Sequence, residues 1–204
     1  MSMNKIDLVV FDLAGTTVDY GCIAPVAAFV EGFKRMQIPI TLTQARAPMG
    51  MDKRAHIRAI AAHNDVAARW QQIHGRAVTQ ADIDAMYEAF TPLLLDVLPQ
   101  HCDLIPGVPD TVDWLDQRGI PFAATTGYFK EAADIVINKA ALAGFSPHAA
   151  ICATEVPAGR PAPWMIYRCM EILDVYPPQR VAVSYTHLRA HETVLDLVCR
   201  LLLE

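Results

Sequence analysis

Asp12 closes an apolar run and opens the stretch Phe11-Asp12-Leu13-Ala14-Gly15-Thr16-Thr17. An aspartate at the carboxyl end of a buried strand lies where open α/β sheets bind their ligands. Gly15 and the two threonines after it supply a tight turn with backbone N–H groups and hydroxyls, which suits a phosphoryl group. A carboxylate placed there can attack phosphorus and form an aspartyl phosphate. Taken alone, the same residues read equally well as an aspartate capping a turn. Thr126 and Gly127 close a second apolar run, and a hydroxyl and a glycine ahead of a helix N-terminus can cradle phosphate. Arg160 stands before a predicted helix in VPAGRPAPW and can neutralise phosphate charge. Its plain alternative is a surface arginine in a Pro/Gly loop.

These residues need elements to hold them. Four short apolar runs, Leu8 to Leu13, Pro121 to Thr126, Ala149 to Thr154 and Arg180 to Val183, read as buried parallel strands because polar residues hardly alternate in them. Helices are predicted between the later ones: Val108 to Arg118 before Gly119, Lys130 to Ala143 before Gly144, and Pro161 to Leu173. Strand and helix in alternation predict an α/β fold with a doubly wound parallel sheet. The first strand breaks the rhythm, because roughly ninety residues separate it from the next helix–strand unit, far beyond an ordinary crossover. Apolar spacing of three and four makes helices of Pro25 to Met36, Lys53 to His63, Val66 to His74 and Ala81 to Leu98, with a capping box at Thr79 and Asp82. The expected organisation is an α/β core of residues 1–20 and 100–204 and an inserted helical cap domain of residues 21–99.

Composition narrows the classes. The 204 residues are 53% hydrophobic and only 19% charged, so the chain can bury a core and is not intrinsically disordered. The 17 basic against 22 acidic residues give a net charge of −5, and without a basic run no nucleic-acid partner is expected. No apolar stretch approaches about 18 residues, and the N-terminus does not read as a signal peptide, so no membrane partner is expected and a cytoplasmic location is. Five cysteines without a CxxC pair fit a reduced compartment better than disulfides or zinc.

The motifs jointly resemble a family. Asp12, Thr126-Gly127 and a basic residue ahead of a helix are similar to the haloacid dehalogenase superfamily. The blocks FDLAGTTVDYGCIAP, MGMDKRAHIRA, TTGY and VPAGRPAPWM resemble its phosphonatase branch, from about residue 5 to 183. The resemblance implies a Rossmann-like core, a magnesium cofactor, a homodimer, and hydrolysis of a small phosphonate, phosphonoacetaldehyde, to acetaldehyde and phosphate. It carries Lys53 as the amine that condenses with the aldehyde and accepts the electrons of the broken bond as a protonated imine. His56 is implied as a helper in proton transfer, Cys22, Met49 and Tyr128 as pocket residues, and Thr126, Gly127 and Arg160 as phosphate binders. Asp12 and the Ala14 backbone carbonyl are the implied magnesium ligands. Each has a plainer alternative: an exposed cap lysine, a packed helix histidine, ordinary core side chains. Ala14 fits the resemblance chemically. Phosphatases of the superfamily place a general acid there for an alkoxide leaving group, whereas a P–C bond has no leaving oxygen to protonate. Arg54, next to Lys53, is expected to help lower its pKa.

The C-terminal stretch departs from the family pattern. Tyr185 falls where the superfamily carries a magnesium-binding aspartate, and Arg189 where it carries a second acid. SYTHLRAHETVLDLVCRLLLE reads as an adapter-like sequence joined to the gene, so the C-terminal part of the core is expected to be truncated or replaced. His187 and His191 with Glu192 superficially mimic a metal-binding helix, and Glu155, Glu192 or Asp196 are candidate substitutes for the absent acids. The alternatives to a phosphonatase are therefore a phosphate-ester phosphatase of the same superfamily and a catalytically impaired binding domain.

Overall fold

The apolar runs form one parallel sheet in the order β3-β2-β1-β4, built from β1 (Leu8–Asp12), β2 (Phe122–Thr126), β3 (Ala149–Cys152) and β4 (Val181–Ser184). The structure is a computed structural model that describes residues 6–185. Register is set by Phe11 opposite both Ala124 of β2 and Ser184 of β4, and by Thr126 opposite Cys152 of β3. Asp12 therefore ends the central strand level with Thr125, as a ligand-binding strand end requires.

Alternate residues of β1 serve opposite faces, as the two-residue strand period demands. Leu8 and Val10 pack with Met165, Ile166, Cys169 and Met170 of α8 (Trp164–Ile172). Val9 and Phe11 face the other side, where α6 (Val108–Asp116) and α7 (Lys130–Leu142) contribute Val112, Leu115, Val136 and Ala140. Helices on both faces are what lets these strands be apolar throughout. This is the α/β, doubly wound architecture expected from the strand–helix rhythm.

The stretch between β1 and α6 is helical: α1 (Ile23–Arg35), α2 (Leu42–Arg46), α3 (Lys53–Ala61), α4 (Asn64–His74) and α5 (Gln80–Val97). Phe29 of α1 stacks on Phe90 of α5 with ring centres 4.4 Å apart, and Trp70, Ile57, Ile60, Ile83 and Met86 are buried around them. Such a ring pair contributes about 1 kcal/mol beyond the area it buries. The Thr79–Asp82 capping box forms as expected. Helix α2 was not expected. Its five residues are too few to show periodicity, and it starts on a second capping box, Thr41 with Gln44. Helix α8 begins at Trp164, three residues later than the predicted Pro161. Ala162 precedes Pro163, and a residue before proline is disfavoured in helical geometry, so the helix cannot open sooner.

Two crossings join the insertion to the sheet. Leaving β1, Gly15 and Gly21 take φ of 82° and Cys22 takes 54°, which turns the chain sharply toward α1. The Asp19 carboxylate then accepts hydrogen bonds from the Ile23 and Ala24 amides and caps that helix. On the way back, the Ile105 amide donates to the Thr17 carbonyl. Residues 186–204, including His187, Arg189, His191, Glu192 and Asp196, lie outside the described residues. Among the described residues, no helix is long and apolar enough to cross a membrane. The four cysteines among them, Cys22, Cys102, Cys152 and Cys169, are buried.

Candidate active site

The site begins with an ion pair. Asp12 Oδ1 accepts a hydrogen bond from the Leu13 amide at 2.9 Å and one from Arg160 Nη1 at 3.0 Å, and both side chains are almost wholly buried. Arg160 Nη2 donates to the Thr125 carbonyl at 2.9 Å and to its hydroxyl at 2.8 Å. Arg160 is thus an internal residue, carried under the sheet's end by the Gly/Pro loop after β3, and the surface-arginine alternative does not hold. Thr17 braces the other side of Asp12, its hydroxyl donating to the Asp12 and Leu13 carbonyls. Thr125 and Thr17 lie within the motif blocks, yet no residue-level signal distinguished them from their neighbours Thr126 and Thr16.

Lys53 enters from the insertion. It is the first residue of α3, behind Asp52, whose carboxylate caps the helix through the Ala55 amide. The side chain is 6% exposed, with Nζ 4.7 Å from the centre of the Tyr128 ring and 5.9 Å from that of Phe29. Its pKa is lowered from 10.5 to about 8, by burial first and by the charge of Arg160 second, against the opposing pull of Cys22, Asp12 and Asp52. The cation that acts on Lys53 is therefore Arg160, contrary to the expectation for Arg54. Arg54 points outward, ion-paired with Asp84 and stacked 4.2 Å from the Tyr87 ring centre. A lysine so desolvated is free amine to about one part in ten near neutral pH, far more than an ordinary lysine, and the free amine is the form that attacks a carbonyl.

His56, one turn along α3, is fully buried with its ring 3.9 Å from that of Phe29. Nε2 lies 2.8 Å from the Ala45 carbonyl, and a carbonyl only accepts, so Nε2 carries the proton. Nδ1 is then a bare, buried lone pair with no hydrogen-bond partner. Burial first, and the charge of Lys53 second, push the His56 pKa down to about 3.

The remaining candidates fall at graded distances from the chemistry. The Cys22 thiol donates to the Ala14 carbonyl at 3.2 Å, and burial with Asp19 and Asp12 raises it to about 12, so it is a thiol and not a nucleophile. Tyr128 lies beneath Lys53, with its hydroxyl buried and unpartnered. Thr126 Oγ1 accepts from the Tyr128 amide, fixing the turn after β2. Gly127 is where the insertion touches that turn: a Cβ there would collide with the Met51 carbonyl oxygen and come within 2.9 Å of that of Gly50. Met49 packs into the hydrophobic core, 4% exposed. A cleft of about 260 Å³ reaches Lys53 from solvent between Asp52, Arg54 and Tyr87 on one side and Gly127, Tyr128 and Gly159 on the other.

Magnesium finds only part of a ligand set here. Asp12 and the Ala14 carbonyl are present, with Arg160 on Oδ1 of the carboxylate and the Cys22 thiol on the carbonyl. Glu155 is turned to the Cys152 amide, and Tyr185 presents a phenol where a carboxylate is needed. No cluster of three or more metal-ligating side chains occurs among the described residues. The described residues therefore do not fit the ion on their own, and no chemical step below passes through it.

Three comparisons bear on this arrangement. A profile of haloacid dehalogenase-like hydrolases matches residues 6–183. The chain is similar to the phosphonoacetaldehyde hydrolase of a Bacillus cereus strain, with 42% identity over 193 residues, 95% of this chain and 71% of the relative. It is also similar to that of Bacillus anthracis, with 45% identity over 85% of this chain and 66% of the relative. Among solved structures, it resembles a phosphonoacetaldehyde hydrolase-like protein from Oleispira antarctica, with a TM-score of 0.86 and 34% identity over 89% of this chain and 66% of that one. The chain thus spans about two thirds of the length of these relatives.

Proposed function

This chain belongs to the haloacid dehalogenase-like hydrolases, in the phosphonoacetaldehyde hydrolase family, and on that premise we propose that it cleaves the P–C bond of phosphonoacetaldehyde to acetaldehyde and phosphate. In this reading, residues 21–99 act as a cap that brings Lys53 over the core of residues 1–20 and 100–204. The observation that carries it is the pairing of a buried, partly neutral lysine with a strand-end aspartate close enough to influence its charge.

The free amine of Lys53 adds to the aldehyde carbon, and loss of water leaves a protonated imine. A carboxylate oxygen of Asp12 attacks phosphorus. The electrons of the P–C bond move into the imine, giving an enamine on Lys53 and an aspartyl phosphate. Water cleaves the acyl phosphate. The enamine takes a proton at carbon, and hydrolysis of the resulting imine releases acetaldehyde and restores the amine. His56, one turn along α3 from Lys53, offers a bare Nδ1 lone pair that can take up a proton only transiently, because its pKa is pushed down to about 3. Tyr128 and Phe29 keep water from Lys53 and so hold its pKa down.

Ala14 supplies a methyl group where an ester hydrolase needs an acid, which favours P–C cleavage over phosphate-ester hydrolysis. The homodimer is part of the same proposal: Tyr20, Ile23 and Leu42 are apolar and exposed around the starts of α1 and α2.

The test is borohydride reduction in the presence of phosphonoacetaldehyde, followed by peptide mass mapping and a phosphate assay. The expected result is an adduct on Lys53 and release of phosphate. A folded chain without that adduct would overturn the reading.

A further inference from the structure

We infer that Arg160, held in place by Tyr185, takes over in this chain the charge-bridging role that a divalent cation would fill at Asp12, so that the site binds a tetrahedral oxyanion without metal. The inference rests on the placing of the oxyanion end of the site at Asp12 and adds the residue that governs it.

Three observations converge on it. First, the guanidinium is only 6% exposed and three of its hydrogen bonds are fixed, one to Asp12 and two to Thr125. A divalent cation on Asp12 would share that carboxylate with a guanidinium nitrogen 3.0 Å from Oδ1, and the repulsion of like charges so close weakens its binding. Second, Arg160 Nε is buried and has no partner. A buried donor left unmade is costly, and an anion oxygen satisfies it. Arg160 can thus touch Asp12 on one side and a phosphonate oxygen on another, as a bridging cation does. Third, the Phe11–Ser184 register carries Tyr185 to the level of Asp12. Its ring lies 4.5 Å from the guanidinium carbon. Tyr185 is a positioning residue: it covers the guanidinium face and fills the place beside Asp12 with a neutral phenol, a poor ligand for a hard cation.

The probe is inorganic phosphate, titrated calorimetrically into the full chain with EDTA and again with magnesium chloride, while manganese binding is followed by electron paramagnetic resonance. The expected result is one Kd in both buffers and no manganese binding linked to phosphate. Arg160→Ala is expected to lose phosphate binding, and Tyr185→Phe, which keeps the ring, to leave it independent of metal. Tyr185→Asp places a carboxylate opposite Asp12 and is expected to make magnesium tighten phosphate about tenfold, equivalent to ~1.4 kcal/mol. A wild-type chain whose phosphate affinity rises with magnesium, or which binds no phosphate in either buffer, overturns the inference whether or not the variants fold. Aldehyde trapping on Lys53 is read separately, so failure of the proposed reaction and failure of this inference are distinguishable.

Discussion

Lys53 Nζ lies 4.7 Å above the centre of the Tyr128 ring, so the amine carried by the helical insertion rests on a side chain from the turn after β2. The contact joins two parts of the chain separated by most of the insertion and by a full helix–strand unit. It also removes the lysine from water, which is the first cause of its lowered pKa. The aromatic floor therefore prepares the amine before any substrate arrives.

Burying that amine costs stability. The folded pKa is about 8 against an ordinary 10.5, so between these values the unfolded chain holds a proton that the folded chain lacks, and stability rises with pH. Below about pH 8 the penalty is fully present, on the order of 3 kcal/mol. Lys53→Met is expected to raise the melting temperature at pH 7, with a gain that shrinks from pH 8 to pH 10.5, and to abolish aldehyde trapping. Thermal melts of both proteins across that range measure it.

His56 has the same sign of linkage at lower pH. Its folded pKa is about 3 against 6.5, so its contribution is present above pH 6.5 and is lost as the pH falls toward 3. The imidazole is expected to show Nε2 protonated and Nδ1 bare by nitrogen NMR, and not to titrate between pH 7 and pH 4. A titration near 6.5 would mean that the ring is hydrated and the Ala45 hydrogen bond is absent.

Asp12 acts both as the proposed nucleophile and as the counter-ion of Arg160. Asp12→Ala leaves that buried guanidinium unpaired and is expected to cost roughly 3–5 kcal/mol in denaturant melts. Asp12→Asn keeps an oxygen for Arg160 and is expected to fold better while releasing no phosphate. Because the Asp12 charge raises the pKa of Lys53, its removal frees the amine at lower pH. The pH midpoint of borohydride trapping in Asp12→Asn is therefore expected to shift downward.

Gly127→Ala tests how closely the insertion sits on the sheet. The added methyl would meet the Met51 and Gly50 carbonyl oxygens, which are backbone atoms and cannot swing aside. A destabilisation of about 1–3 kcal/mol is expected, as for other overpacked contacts. The segment before α3 has to retreat, taking Lys53 with it, so trapping is expected to slow more than the melt alone would suggest. Trapping at the wild-type rate would show that Lys53 is positioned independently of this contact.

Much of the molecule was legible from local pattern. The strands and most helices follow from residue periodicity, because burial on two faces or one stripe writes itself into spacing. Asp12, Thr126 and Arg160 could be picked out because chemistry at strand ends demands particular residue types beside glycine or a helix. The long gap after β1 announced the insertion. What pattern could not supply was anything depending on distance between remote segments. Helix α2 is too short for a period, and the delayed start of α8 depended on the conformational restraint at Ala162. Arg54 was the sequence neighbour of Lys53, but Arg160, more than a hundred residues away, is the cation that acts on it. Tyr185 read only as a misplaced residue until the β1–β4 register set it beside Asp12 and over Arg160. Residue types are chosen one position at a time, whereas a pKa and an ion pair belong to whatever the fold brings within a few ångströms in a place without water.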